Sequence, residues 1–141
     1  MKYTVLFLVT FLFSSSASAS EKAILTPEEM VELWGYIYKN GVQKPFTGVY
    51  QQTCEDGGYV FRMEVLNGKA HGKFEMWDKD CKHKQSEEYF DQETPIGTHK
   101  KWINGELHKE IVYEKGTAVQ IIEHTKEPSV IGIIARPANG S

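Results

Sequence analysis

Three segments of the chain share one grammar: a glycine, a ring-bearing side chain two residues on, and an aromatic-rich stretch that returns to a turn. They read Gly48-Val49-Tyr50, Gly72-Lys73-Phe74 and Gly97-Thr98-His99, spaced by 24 and 25 residues. Trp77 and Trp102 each stand five places after their glycine, and Val65, Tyr89 and Tyr113 stand 17, 17 and 16 places after theirs. A fixed period of this length marks a supersecondary unit copied in tandem. The unit is too short for a strand–helix–strand crossover and long enough for one hairpin, at about 3.3 Å of rise per strand residue. The expected fold is therefore mainly β, an antiparallel meander of stacked hairpins in one layer, with about six to eight strands.

Within a unit, Lys73 to Trp77 reads as a strand, Asp78 to Lys82 as a polar turn and Gln85 to Phe90 as the return strand. Asn104-Gly105 is a strong hairpin signal between Thr98–Ile103 and Leu107–Tyr113, because both residues tolerate positive φ. The stretch Asn67-Gly68-Lys69-Ala70-His71-Gly72 puts two glycines where the chain is expected to reverse between units. Phe74 and Trp77 are three apart, so they face opposite sides unless a bulge brings them round. Equivalent positions of neighbouring hairpins should form ladders: Tyr50 with Phe74 and His99, and Trp77 with Trp102. The plainest role for these rings is packing.

These residues resemble the MORN-repeat variant, as found in bacterial proteins labelled YwqK-family antitoxins. The matching stretches are residues 67–77, Gly97 to Trp102, Asn104 to Leu107 and Lys109 to Gly116, with Gly35 to Tyr38 and Lys44 to Gly48 as the lead-in. The likeness covers about residues 33–117 and departs at Thr53, where the other units have tryptophan, and at Gln92, where a turn glycine is usual. It implies repeat units at about 48–71, 72–96 and 97–117 within a domain over 20–124. Thr26-Pro27-Glu28-Glu29 carries the signals of a helix start. By itself that helix could extend to Lys39; the resemblance implies a short N-terminal helix ending near Leu33 and a strand at Tyr36–Tyr38.

The ends read differently. Lys2, the apolar run Val5 to Phe13 and Ala17-Ser18-Ala19 have the order of a secretory signal peptide over residues 1–19, cut near Ala19. The run is about half the ~20 residues a membrane anchor needs, so no stable anchor is expected after the cut, and the chain is expected to be periplasmic or secreted. Ala118 to Glu123 reads as a further strand, and residues 125–141 as a C-terminal strand and tail, with the apolar Val130 to Ile134 covering a sheet edge. Loss of Lys2 moves the balance from −3 to −4. That charge argues against nucleic acid, which needs a basic stripe. Cys54 and Cys81 fall toward the same end of neighbouring hairpins, and an exported protein meets oxidising conditions, so they are expected to form a disulfide.

No catalytic signature is visible: no nucleophile elbow, no phosphate loop and no paired-cysteine metal motif. His83 follows Cys81 by two residues, but two ligands make a weak metal signal. The expectation is a protein without enzymatic activity, cofactor or metal, acting through an unknown protein partner in the bacterial envelope. Lys79, Lys82, Lys84, Lys100 and Lys101 are the densest cations in the repeats and, with Trp77 and Trp102, the first candidate contact. The family label offers an antitoxin or immunity-like role as an alternative. Flat aromatics offer a second, an envelope glycan or lipid binder.

Overall fold

The computed structural model describes residues 21–124. The expected signal sequence, the repeat domain's first residue and the C-terminal segment 125–141 lie outside the described residues. Strands run in chain order as β1 (Ile24–Leu25), β2 (Met30–Leu33), β3 (Tyr36–Lys39), β4 (Gly48–Thr53), β5 (Tyr59–Leu66), β6 (Lys69–Trp77), β7 (Lys84–Asp91), β8 (Thr94–Pro95), β9 (Gly97–Ile103), β10 (Glu106–Glu114) and β11 (Thr117–Glu123). Nine of them form one open sheet in the order β1-β4-β5-β6-β7-β9-β10-β11, with β8 beside β7, and β2 pairs β3 separately. The fold is mainly β, and every pairing is antiparallel except the parallel contact of β1 with β4.

Two expectations need correction here. The short N-terminal helix is a single 3-10 turn, Pro27–Glu29, from which the chain passes directly into β2. Helix-start chemistry is present, yet the next residues are Val31, Leu33, Ile37 and aromatics, which fit a pleated surface better than a helix. Trp34-Gly35 then closes a two-residue turn with φ of 52° and 75°, the positive pair that a right-twisted hairpin demands. Nor is the fold one layer throughout. The β2–β3 hairpin lies over the sheet, where Met30 and Ile37 pack against the cluster of Leu25, Phe46 and Val65.

Three hairpins, β4–β5, β6–β7 and β9–β10, each carry one extra residue on the return strand near the turn: Val60, Gln85 and His108. Thr53, Trp77 and Trp102 are the residues on the outgoing strands at those bulges. The tight reversals are Asn67-Gly68, Gln92-Glu93, Asn104-Gly105 and Lys115-Gly116, all with two positive φ values. Gly72 is not at a reversal. It lies inside β6, where His71, Gly72 and Lys73 together oppose Glu64 of β5. The Lys73 N–H donates to Glu64 Oε2 at 3.0 Å, and a Cβ on Gly72 would stand 2.2 Å from that same oxygen. This glycine is required by the carboxylate that closes the bulge.

Register sorts the side chains into two faces. Tyr50, Met63, Phe74 and Glu88 oppose one another across successive strands. His99, Ile111 and Ile121 continue on that face. The expected ladder of Tyr50, Phe74 and His99 thus shares the inner face, the one that the β2–β3 hairpin covers at its β4–β5 end. His99 is buried between Phe90 and Tyr113, with ring centroids at 5.4 and 4.5 Å. Trp77 and Trp102 share the outer face. The bulge near Trp77 lies in β7, so β6 keeps its alternation and Phe74 and Trp77 point opposite ways.

Candidate binding surface

The outer face is built around Lys84. The bulge at Gln85 shifts the register so that Lys84 lies opposite Trp77. Its ammonium sits 5.4 Å from the Trp77 ring centre and 5.8 Å from that of Trp102, a cation between two indoles. It also donates to Glu75 at 2.6 Å and to Glu87 at 3.0 Å. Lys73 reaches the same two carboxylates, at 2.9 and 3.3 Å, and Tyr89 OH donates to Glu87 at 3.0 Å. Two cations and two anions thus close a ring on strands β6 and β7.

Each charge in the ring is held in its ionised state. Burial is the largest influence on Glu75 and would raise its pKa, but hydrogen bonds from Lys84 and Lys73 outweigh it and leave the carboxyl below its usual range. Glu87 follows the same pattern, with Lys84, Tyr89 and Lys73 as its partners. Burial pulls the Lys84 ammonium down, yet Glu75 and Glu87 together lift it above the ordinary lysine value. Lys73 is raised chiefly by its hydrogen bond to Glu75. A protonated lysine is no nucleophile, and a carboxylate held low is a poor proton donor at neutral pH. What the ring offers is a rigid, charge-balanced floor beneath two half-buried tryptophans.

Tyr59 extends the row, tilted on Trp77 at 5.6 Å, and Arg62 lies over the Tyr59 ring at 5.8 Å. At the other end is a depression of about 200 Å³ lined by Trp102, Lys84, Gln85, Ile103, Asn104 and the pair Asp78–His83. His83 Nδ1 and Asp78 Oδ2 are 2.9 Å apart. Among the described residues no group of three or more His, Cys, Asp or Glu side chains is placed to hold a metal ion.

The five lysines do not form one patch. Lys79 and Lys82 are exposed in the β6–β7 turn. Lys84 is tied into the ring. Lys100 and Lys101 are neighbours on β9 and point to opposite faces. Lys100 lies on the outer face 3.9 Å from Glu110, and Lys101 pairs with Glu88 on the inner face. Cys54 and Cys81 are joined as a disulfide, with 6.7 Å between their Cα atoms, linking the end of β4 to the β6–β7 turn. Gly58 packs beneath it: a Cβ there would lie 3.1 Å from that of Cys81.

One surface escaped the sequence reading. Trp34 is 91% exposed, and Leu33, Tyr36 and Val42 near it are also exposed. Reading residues 26–33 as a helix hid it. The signal that would have found it is Trp34-Gly35 between two short apolar runs, a two-residue hairpin loop. Among the described residues no helix is long and apolar enough to cross a membrane. Comparison with known proteins returns no match: no family model, no curated protein and no solved structure matches this chain.

Proposed function

We propose that the chain is a non-catalytic, exported interaction module of the MORN-variant type, which binds a protein partner across its outer face. The observation that carries this reading is the row Tyr59, Trp77, Lys84 and Trp102. Flat rings are fixed there over a floor whose charges are already paired. Aromatic side chains held rigid at half exposure lose little freedom when covered, which is why such residues dominate binding energy. The MORN reading draws on the recurrence of one extra residue at the same place in three hairpins. Export draws on the disulfide, which persists in oxidising compartments, together with the signal-like order of residues 1–19. Lys79 and Lys82 then serve to steer an acidic partner, while Lys84 orders the rings.

The test is capture of a saturable partner from an envelope extract on the immobilised protein, repeated with Trp77→Ala/Trp102→Ala. The double variant is expected to lose the partner. Reversal of Lys79 and Lys82 to glutamate is expected to slow association at low salt and to matter little above about 0.15 M, where screening acts within ~8 Å. No saturable partner, or one that the double tryptophan variant retains, overturns the proposal.

A further inference from the structure

The β2–β3 hairpin is apolar on both sides. Met30 and Ile37 face the sheet. Val31, Leu33, Tyr36 and Tyr38 alternate with them on the hairpin's other face, where the Lys69 ammonium covers the Tyr36 ring. Here Trp34 at the tip is 91% exposed, with Leu33 at 47%, Tyr36 at 40% and Val42 at 48%. A shallow depression of about 380 Å³ lies between Leu33, Trp34, Tyr38 and Val42. Large apolar side chains gathered in one exposed patch mark a contact surface, whereas single ones do not.

The tip is held firmly. Lys69 Nζ donates to the Gly35 carbonyl at 2.7 Å, lies 4.2 Å from the centre of the Tyr36 ring and pairs with Glu93 at 2.8 Å. Behind it, Ile37 N–H donates to Gly68 O at 2.9 Å, and Phe46 N–H to Ile37 O at 2.9 Å. The sequence thus spends a left-handed backbone position on a tryptophan, at φ 52°, and leaves that ring in solvent. Asparagine or aspartate would suit the position better.

The occupant follows from area and charge. A stable protein interface takes about 800 Å² and 20–30 residues from each partner, far more than this tip of six apolar side chains supplies. An apolar tip needs no such minimum to enter a lipid surface, because each ring or chain that enters adds its own share. Tryptophan and tyrosine are the residues that settle at the headgroup level. The surrounding charge is mixed: Lys39 pairs with Glu29 at 2.8 Å, and Lys44, Glu28 and Glu32 are exposed, so no cationic patch selects an anionic partner.

We propose that the tip formed by Leu33, Trp34, Tyr36 and Val42 docks on a lipid bilayer surface, with the Trp34 ring entering the headgroup region. This docking is independent of the outer-face contact and lies on a different element. The test is titration of the purified protein with vesicles of phosphatidylcholine, and of phosphatidylcholine mixed with phosphatidylglycerol, read by co-sedimentation and tryptophan emission. Both vesicles are expected to bind alike, with a blue shift of emission that brominated acyl chains quench. Trp34→Ala is expected to lower vesicle affinity about tenfold or more and to remove the shift, with an unchanged melting temperature because the ring packs on little. Leu33→Ser is expected to weaken binding in the same direction. No binding to either vesicle, binding unchanged in Trp34→Ala, or binding only to the anionic vesicle and lost in salt, overturns the proposal. So does an effect of Trp34→Ala on capture of a protein partner with none on vesicles.

Discussion

The two ends of the sheet are held together by different physics. Where β1, β4 and β5 meet the overlying hairpin, Leu25 is wholly buried, with Phe46 and Val65 beside it. From β7 to β11, among the described residues, the only buried side chains are Ser86 and His99, and both are polar. His99 Nε2 lies 2.9 Å from Tyr89 O and 3.2 Å from Tyr89 N, so the ring serves the backbone rather than an apolar core. The layered end draws on removal of apolar surface from water. The single-layer end draws on ladder hydrogen bonds, cross-strand ring contacts and paired charges, each small and many of them half-solvated.

The largest expected effect separates the ends directly. Leu25→Ala should cost about 2–5 kcal/mol, because a closed site keeps its cavity. The same truncation at Ile121, half-exposed on the single layer, should cost under about 1.5 kcal/mol. Equal losses in urea unfolding would dissolve the distinction.

Next comes the staple, which lies near the boundary between the two regimes. The disulfide closes a loop with a sequence separation of 27. Replacing both cysteines by alanine should lower stability by roughly 3–4 kcal/mol on the chain-entropy account. Thiol labelling of the denatured, unreduced protein should find no free thiol; two labelled thiols contradict the bond.

A smaller effect is expected at Gly72→Ala, about 2 kcal/mol from the displaced Glu64 carboxylate and the positive backbone angle. If the denaturant midpoint does not move, the bulge does not depend on that carboxylate.

The smallest effect belongs to the charge ring. Glu75 and Glu87 have folded-state pKa values below the ordinary 4.5, so their contribution is present above that value and lost as pH falls through the lower, folded ones. Lys73 and Lys84 are raised above 10.5, so theirs is present below 10.5 and lost as pH rises through the higher, folded values. Melting temperatures should therefore be flat between these limits and fall outside them. Lys84→Met should reduce the acid-side loss while costing about 1 kcal/mol at neutral pH, since these groups keep some contact with water. A loss on the acid side as large in the variant as in the parent would place it elsewhere.

Much of the β architecture was legible because it is written locally. Asn104-Gly105 and the alternation of β9 and β10 fix one hairpin within a short window, and the two cysteines could be matched because neighbouring hairpins share an end. The N-terminal segment was misread for a local reason too. Thr26-Pro27-Glu28-Glu29 starts a turn as readily as a helix, and packing against Leu25 and Phe46 decides the path of the chain beyond it. The lysine cluster failed for another reason. Adjacent Lys100 and Lys101 must split between faces, a consequence of strand period alone. The fate of Lys84, by contrast, depends on a bulge and on Glu75 across the ladder, which no single-strand pattern contains. Trp34 went unnoticed because a helix over residues 26–33 hides the Trp34-Gly35 turn, and the ring's exposure follows only from that turn.

The order of strands gives the molecule a direction of failure. From β7 onward the main strands follow one another along a single path, and among the described residues nothing clasps β11 from its far side. Thermal opening should begin there and peel inward, strand by strand, through β10 and β9, until it meets the covalent link between the end of β4 and the β6–β7 turn. Amide exchange should then form a gradient along the sheet, quickest in β11 and slowest in β5. A bound partner spread over Trp77 and Trp102 would act as a clamp across the middle of that path, slowing the peel without touching the strand where it starts.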